Sequence, residues 1–299
     1  GEATVTGANS QWNNSGDLVV GGEGNGTLNI ANEGLVAVGG TTSIGAAGTV
    51  NLAGGRFEFG QTTLAEFNTI NATSGVLAGD VTHGGYTDVA TLTALQNPTV
   101  DLTNVALTNS GVLYGDVSMD NALINTAQGE VEVVAGERLR FGGSGNTNAG
   151  EINNFGGMVR FAQDLTNENG GFVGGRDTFF RFGGGLTNDG DLGLSVGIHD
   201  ILGAIVNTTT GRIMVAGQST ATFYGDMTND GDIFTGEGSQ SVFLGDVTGG
   251  GNFPGAGIVE FAGAISPGSS PASVSFGGDV VLGSLAKVQI ELGGTVRGD

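Results

Sequence analysis

The sequence predicts an all-β fold: a parallel β-solenoid (β-helix) of about 20 residues per coil. Three observations carry that expectation. One phrase recurs, as RFAQDLTNENGG at 160–171, RFGGGLTNDGDL at 181–192 and FYGDMTNDGDI at 223–233. Its asparagines keep a period, with steps of 21 from Asn167 to Asn188, 19 to Asn207 and 22 to Asn229. The phenylalanines keep it independently, with 20 from Phe141 to Phe161, 21 to Phe182, 41 to Phe223 and 20 to Phe243.

Within each coil, short alternating runs such as Ser241-Val242-Phe243-Leu244 suit strands with one buried face. A lone coil leaves its backbone edges unpaired, and stacking coils at ~4.8 Å pairs them while placing like residues above like. Phe141, Phe161, Phe182, Phe223, Phe243, Phe261 and Phe276 therefore form an expected interior stack, with Ile201 filling the step that lacks a ring. Asn109, Asn167, Asn188, Asn207 and Asn229 precede or flank glycine-rich turns, so each is expected to occupy a turn. The alternative is an inward ladder of amides bonded along the axis.

Composition narrows the function. There are 60 glycines, 16 phenylalanines, no cysteine and a formal net charge of -21, from 9 Lys plus Arg against 30 Asp plus Glu. Such a surface suits neither nucleic acid nor anionic membrane, both of which need a basic footprint. Stability must come from packing and backbone pairing, since no disulfide can form. No apolar run reaches transmembrane length and no signal peptide is visible, so no membrane insertion is expected.

The chain is expected to be one elongated domain over 1–299, with roughly 15 coils. A first flavour of the repeat fills 1–59, and irregular coils fill 60–106. In those coils Val89, Leu92 and Leu95 before Asn97-Pro98 suggest a loop or short helix near 87–98. Regular coils run over 107–264, and modified C-terminal strands over 265–299. The pieces VTGANSQWNNSGDLVVG at 5–21, GNGTLNIANEG at 24–34 and IGAAGTVNLAGG at 44–55 resemble the glycine-rich repeats of autotransporter passenger domains and related secreted bacterial proteins with a sorting tail. The segment from Ile265 to Thr295 is similar to their closing strands. This resemblance implies a right-handed parallel β-solenoid at a bacterial cell surface, extracellular, and identifies an architecture without a reaction.

Candidate chemistry is sparse. His83 and His199 are expected at turn or surface positions. Asp189, Asp191, Asp230 and Asp232 lie inside the repeat phrase, which favours solvated turns over the paired carboxylates of a glycosidase. The same turns, with Asn188 and Asn229, offer hard oxygen ligands, so calcium is the one cofactor to weigh; otherwise none is expected. Trp12, Tyr86, Tyr114 and Tyr224 are the aromatics to inspect for stacking on carbohydrate, although Tyr114 and Tyr224 precede Gly-Asp and fit packing positions. A terminal Arg297-Gly298-Asp299 matches a cell-adhesion tripeptide of a kind that arises by chance.

The expected function is therefore a non-catalytic extracellular structural protein, a rigid subunit of a surface fibre or filament. Neither end carries a capping helix, which points to head-to-tail contact between copies of the chain. The alternatives are an adhesin passenger fragment that binds surface carbohydrate, or a polysaccharide-active β-helix enzyme.

Overall fold

The structure, a computed structural model, describes residues 1–268 and 273–289. Arg297-Gly298-Asp299 and part of the expected C-terminal strand segment lie outside the described residues. Strand accounts for 59% of the chain and helix for 4%, in parallel sheets that form a β-solenoid of about 13 turns at ~21 residues each. The turn count is below the roughly 15 expected from even coils, because segments at 64–67 and 89–96 leave the strand path. The chain divides into two compact units. One comprises Gly1–Gly129 with Arg140–Ser144, the other Glu130–Leu139 with the residues from Gly145 onward.

In the first unit, strands Glu2–Thr6, Gly26–Ala31, Gly48–Thr63, Asn71–His83, Val100–Asn109 and Ala122–Asn125 pair in parallel in that order. Val5 sits over Ile30, and Ile30 over Leu52. Alternate side chains point inward, so apolar contacts line up from coil to coil. Long strands occupy much of the stretch expected to be irregular, and its irregularity appears as register shifts, for instance between Asp101 and Asn104. On the outer face, Asn51 Nδ2 donates to Asn29 Oδ1 (2.8 Å) and Asn71 Nδ2 to Asn51 Oδ1 (3.3 Å).

Two helical excursions interrupt these coils. Leu64–Phe67 is a single α-helical turn closed by a capping box: Glu66 N donates to Thr63 Oγ1 (3.3 Å) and Thr63 N to Glu66 Oε2 (3.3 Å). It buries Leu64 and Phe67, the latter against Phe59 with ring centroids 5.6 Å apart. Near 87–98 the helical segment consists of two 3-10 turns, Val89–Thr91 and Thr93–Gln96. In a 3-10 turn residues three apart eclipse, and accordingly Val89, Leu92 and Leu95 are all buried.

The second unit is more regular, with three parallel sheets. One contains Leu165–Asn167, Leu186–Asn188, Ile205–Asn207, Met227–Asn229 and Val247–Gly249 in successive register. A second runs from Glu130–Val134 through Glu151–Phe155, Phe172–Arg176, Asp191–Ser195 and Arg212–Ala216 to Asp232–Thr235. The third runs from Met158–Phe161 through Phe179–Phe182, Ile198–Leu202, Thr220–Phe223, Gln240–Phe243 and Ile258–Phe261 to Asp279–Leu282. Asp279–Leu282 is exposed along its length.

Candidate functional site: interior columns and an arginine face

Six of the seven expected stack residues, Phe141, Phe161, Phe182, Phe223, Phe243 and Phe261, are buried, but they do not make one column. Phe161 stands under Phe182 with rings stacked at 6.1 Å and 12°. Ile201, placed by period above Phe182, instead stands above Phe180 and below Phe223. From there the second column continues through Phe243 to Phe261, at 5.0 and 5.3 Å. The two columns are joined sideways by Phe180 and Phe182, stacked at 6.0 Å and 7°.

Gly203 explains the side-step. Its φ of +118° excludes most side chains, and a Cβ there would collide with the carbonyl oxygen of Phe182. Phe276 also departs from expectation. Half-buried, it pairs with Phe253 at 5.0 Å and meets Phe261 edge-on at 82°, while register places Leu282 above Phe261.

The asparagines are corrected from turn occupants to strand ends. Asn109, Asn167, Asn188, Asn207 and Asn229 are all buried, each closing a strand with its amide inward. Asn148 Nδ2 donates to Asn167 Oδ1 (2.7 Å), Asn167 to Asn188, Asn188 to Asn207 and Asn207 to Asn229 (each 2.8 Å). In the first unit Asn109 donates likewise to Asn125 (2.8 Å). The glycine after the phrase is there for space: a Cβ on Gly211 or Gly231 would collide with the preceding coil's backbone and crowd the Asn207 amide. The ladder stops at Asn229, whose Nδ2 has no partner, because register places Gly249 above it.

Asp191, Asp230 and Asp232 of the two acidic turns line one cavity together with Arg212 and Thr210. Asn188 and Asn229 are committed to the ladder, facing away from the loops. Asp191 and Asp232 are separated by Arg212, which stands in register between them and pairs with Asp191 (Nε–Oδ1 3.0 Å). Asp189 Oδ1 accepts from Thr208 Oγ1 (2.6 Å) and Asp230 Oδ1 from Gly250 N (3.1 Å). Among the described residues no three His, Cys, Asp or Glu side chains group as metal ligands. The six expected calcium ligands therefore form no single shell.

His199 is likewise corrected from surface to core. It is fully buried, with Nδ1 at 2.9 Å from Thr178 Oγ1 and Nε2 without a partner. Burial pulls its pKa below the ordinary histidine value, against the opposing pull of Asp177 and Asp200. His83 is also buried with an unpartnered Nε2. Tyr224, expected to pack, is 47% exposed and donates its hydroxyl to Asp200 Oδ1 (2.9 Å), which raises the phenol's pKa. Tyr114 is half-buried and its ring lies 4.6 Å from that of Tyr86, which is 68% exposed.

One outward face went unread in the sequence. Phe155 pairs in register with Arg176, Met158 with Phe179 and Arg160 with Arg181. The Arg176 guanidinium lies 5.7 Å from the Phe155 ring centre. Beside it opens a cavity of about 280 Å³ lined in part by Phe155, Phe172, Arg176 and Met214. At the adjoining corner Val196 is held at φ +59° and half exposed, an unusual conformation for a β-branched side chain. Each register pair is separated by 21 residues, one coil, so the same period that revealed the phenylalanines was available here.

No protein-family model matches the chain, and no curated protein matches it either. No helix among the described residues is long and apolar enough to cross a membrane.

Proposed function

We propose that this chain is a non-catalytic structural element, a stiff β-solenoid that works mechanically in an extracellular bacterial assembly. The observation that carries this reading is the unbroken run of side-chain hydrogen bonds from Asn148 to Asn229. Backbone ladders already tie each coil to the next; a buried amide ladder adds a second, parallel tie that is strong because no water competes for it. The phenylalanine columns add apolar burial of about 1.5–3 kcal/mol per ring. The extracellular placement rests on the resemblance of the N-terminal repeats to secreted solenoids. Head-to-tail contact between copies is part of this proposal, on the general ground that an open edge of a parallel coil is satisfied by another parallel coil.

Single-molecule pulling tests the mechanical reading. Stepwise release of about 70 Å per coil, the contour of some 20 extended residues, supports it; smooth extension at the low force of a disordered chain refutes it. A second reading, carbohydrate engagement, is favoured by the outward Tyr86 and Tyr114 rings on neighbouring coils. A glycan array discriminates: binding lost in Tyr86→Ala supports it, and a blank array removes it.

A further inference from the structure

We propose that the face bearing Arg160, Arg176 and Arg181 is a lateral docking surface for a second copy of this chain, which presents the carboxylate ladder of Glu130 and Glu151. This rests on the structural reading above and specifies a contact that reading leaves open.

Charge selects the partner. In a chain of net charge -21, the ion pairs among the described residues are Arg56–Glu58, Arg140–Asp120 and Arg212–Asp191. Arg160, Arg176 and Arg181 take part in none of them, and Arg160 Nε is buried without a hydrogen-bond partner. Arg160 and Arg181 are directly opposite in register, an arrangement of like charges that costs stability unless something else neutralises it. Carboxylates are what the rest of the molecule supplies in excess.

Composition selects a protein over a polymer of charge. Phe155, Met158, Arg160, Arg176, Phe179 and Arg181 are aromatic, methionine and arginine, the residue types enriched at the cores of protein interfaces. A nucleic acid is excluded by the repulsion that its dense phosphates would meet from the remaining acidic surface.

Pitch selects the docking ladder. Glu130 and Glu151 are also register partners, on the sheet that carries Phe155 and Arg176, and Asn153 Nδ2 donates to each of them (3.0 Å). Strands within any sheet are ~4.8 Å apart, so two guanidinium groups one coil apart match two carboxylates one coil apart on another copy.

Sedimentation velocity at about 0.15 M salt, where the Debye length of ~8 Å screens the net charge but spares contact pairs, tests this directly. Arg160→Glu with Arg181→Glu, and Glu130→Arg with Glu151→Arg, are each expected to weaken self-association at least tenfold. An equimolar mixture of the two variants restores it, because each then offers the face that the other lacks. Unchanged circular dichroism and melting temperature establish that the variants fold. The neutral pair Arg176→Gln with Arg181→Gln, expected to weaken association less, serves if a reversal misfolds.

A wild type that stays monomeric at millimolar concentration overturns the proposal, as does a mixture that fails to associate. Binding of a uronate polymer without self-association also overturns it and reassigns the face to an acidic glycan. Stepwise unfolding under force in the monomeric variants would show that the mechanical reading survives loss of this contact.

Discussion

Asn188 illustrates what one residue does here. Its Oδ1 accepts from Asn167 and its Nδ2 donates to Asn207, so its removal takes the donor from the buried Asn207 Oδ1 and leaves Asn167 Nδ2 only its longer bonds to Gly171 O and Asp191 O. Asn188→Ala is expected to lower unfolding stability by about 2–4 kcal/mol, measured by urea titration; Asn13→Ala, on an exposed strand, should have an effect within about 0.5 kcal/mol. His199 gives a pH signature. Its folded pKa lies below the ordinary value of 6.5 because of burial, so the unfolded chain binds the proton more readily. The stability it contributes is fully present above about pH 6.5 and is lost as pH falls from there through the folded pKa. His199→Gln should flatten that part of a stability–pH curve; an unchanged slope would remove the histidine as its cause.

At the scale of the element, the strand-and-turn rhythm was legible because the residues that mark it are large or conformationally special. Phe223 and Phe243, 20 apart, do stack, and the asparagine that ends the phrase does recur once per coil from Asn167 to Asn229. What the period concealed was which neighbour each ring meets. Phe180 and Phe182 both face inward, two residues apart, so a gap of 41 between Phe182 and Phe223 is compatible with either column. The choice is made by Gly203, whose backbone admits no side chain above Phe182. Gly203→Ala should therefore destabilise by about 1–3 kcal/mol through strain alone. Phe180→Ala, which removes the ring linking the two columns, should cost about 3–5 kcal/mol. Thermal melts of both variants check the ranking.

At the scale of the molecule, fold class was readable and the functional surface was not. Interior positions repeat because each must match the coil below it, and repetition is what a single sequence displays. Outward positions such as Arg160 and Arg181 need not match the interior of the coil below, so their pairing emerged only once register was known. Turn residues diverge within a single step of the chain: Asn188 and Asp189 are neighbours, yet one side chain enters the ladder and the other bonds Thr208. Chelation with EDTA should accordingly leave the melting temperature unchanged; a fall of several degrees, reversed by calcium, would restore the metal.

The account depends on amides that link one coil to the next out of reach of water. Side-chain amide exchange by NMR measures this directly. The Nδ2 protons of Asn167, Asn188 and Asn207 should exchange orders of magnitude more slowly than those of exposed Asn13, and each should show scalar coupling across the hydrogen bond to the amide carbon of the next coil's asparagine. Exchange at the rate of Asn13, with no such coupling, would contradict the ladder and the mechanical role drawn from it.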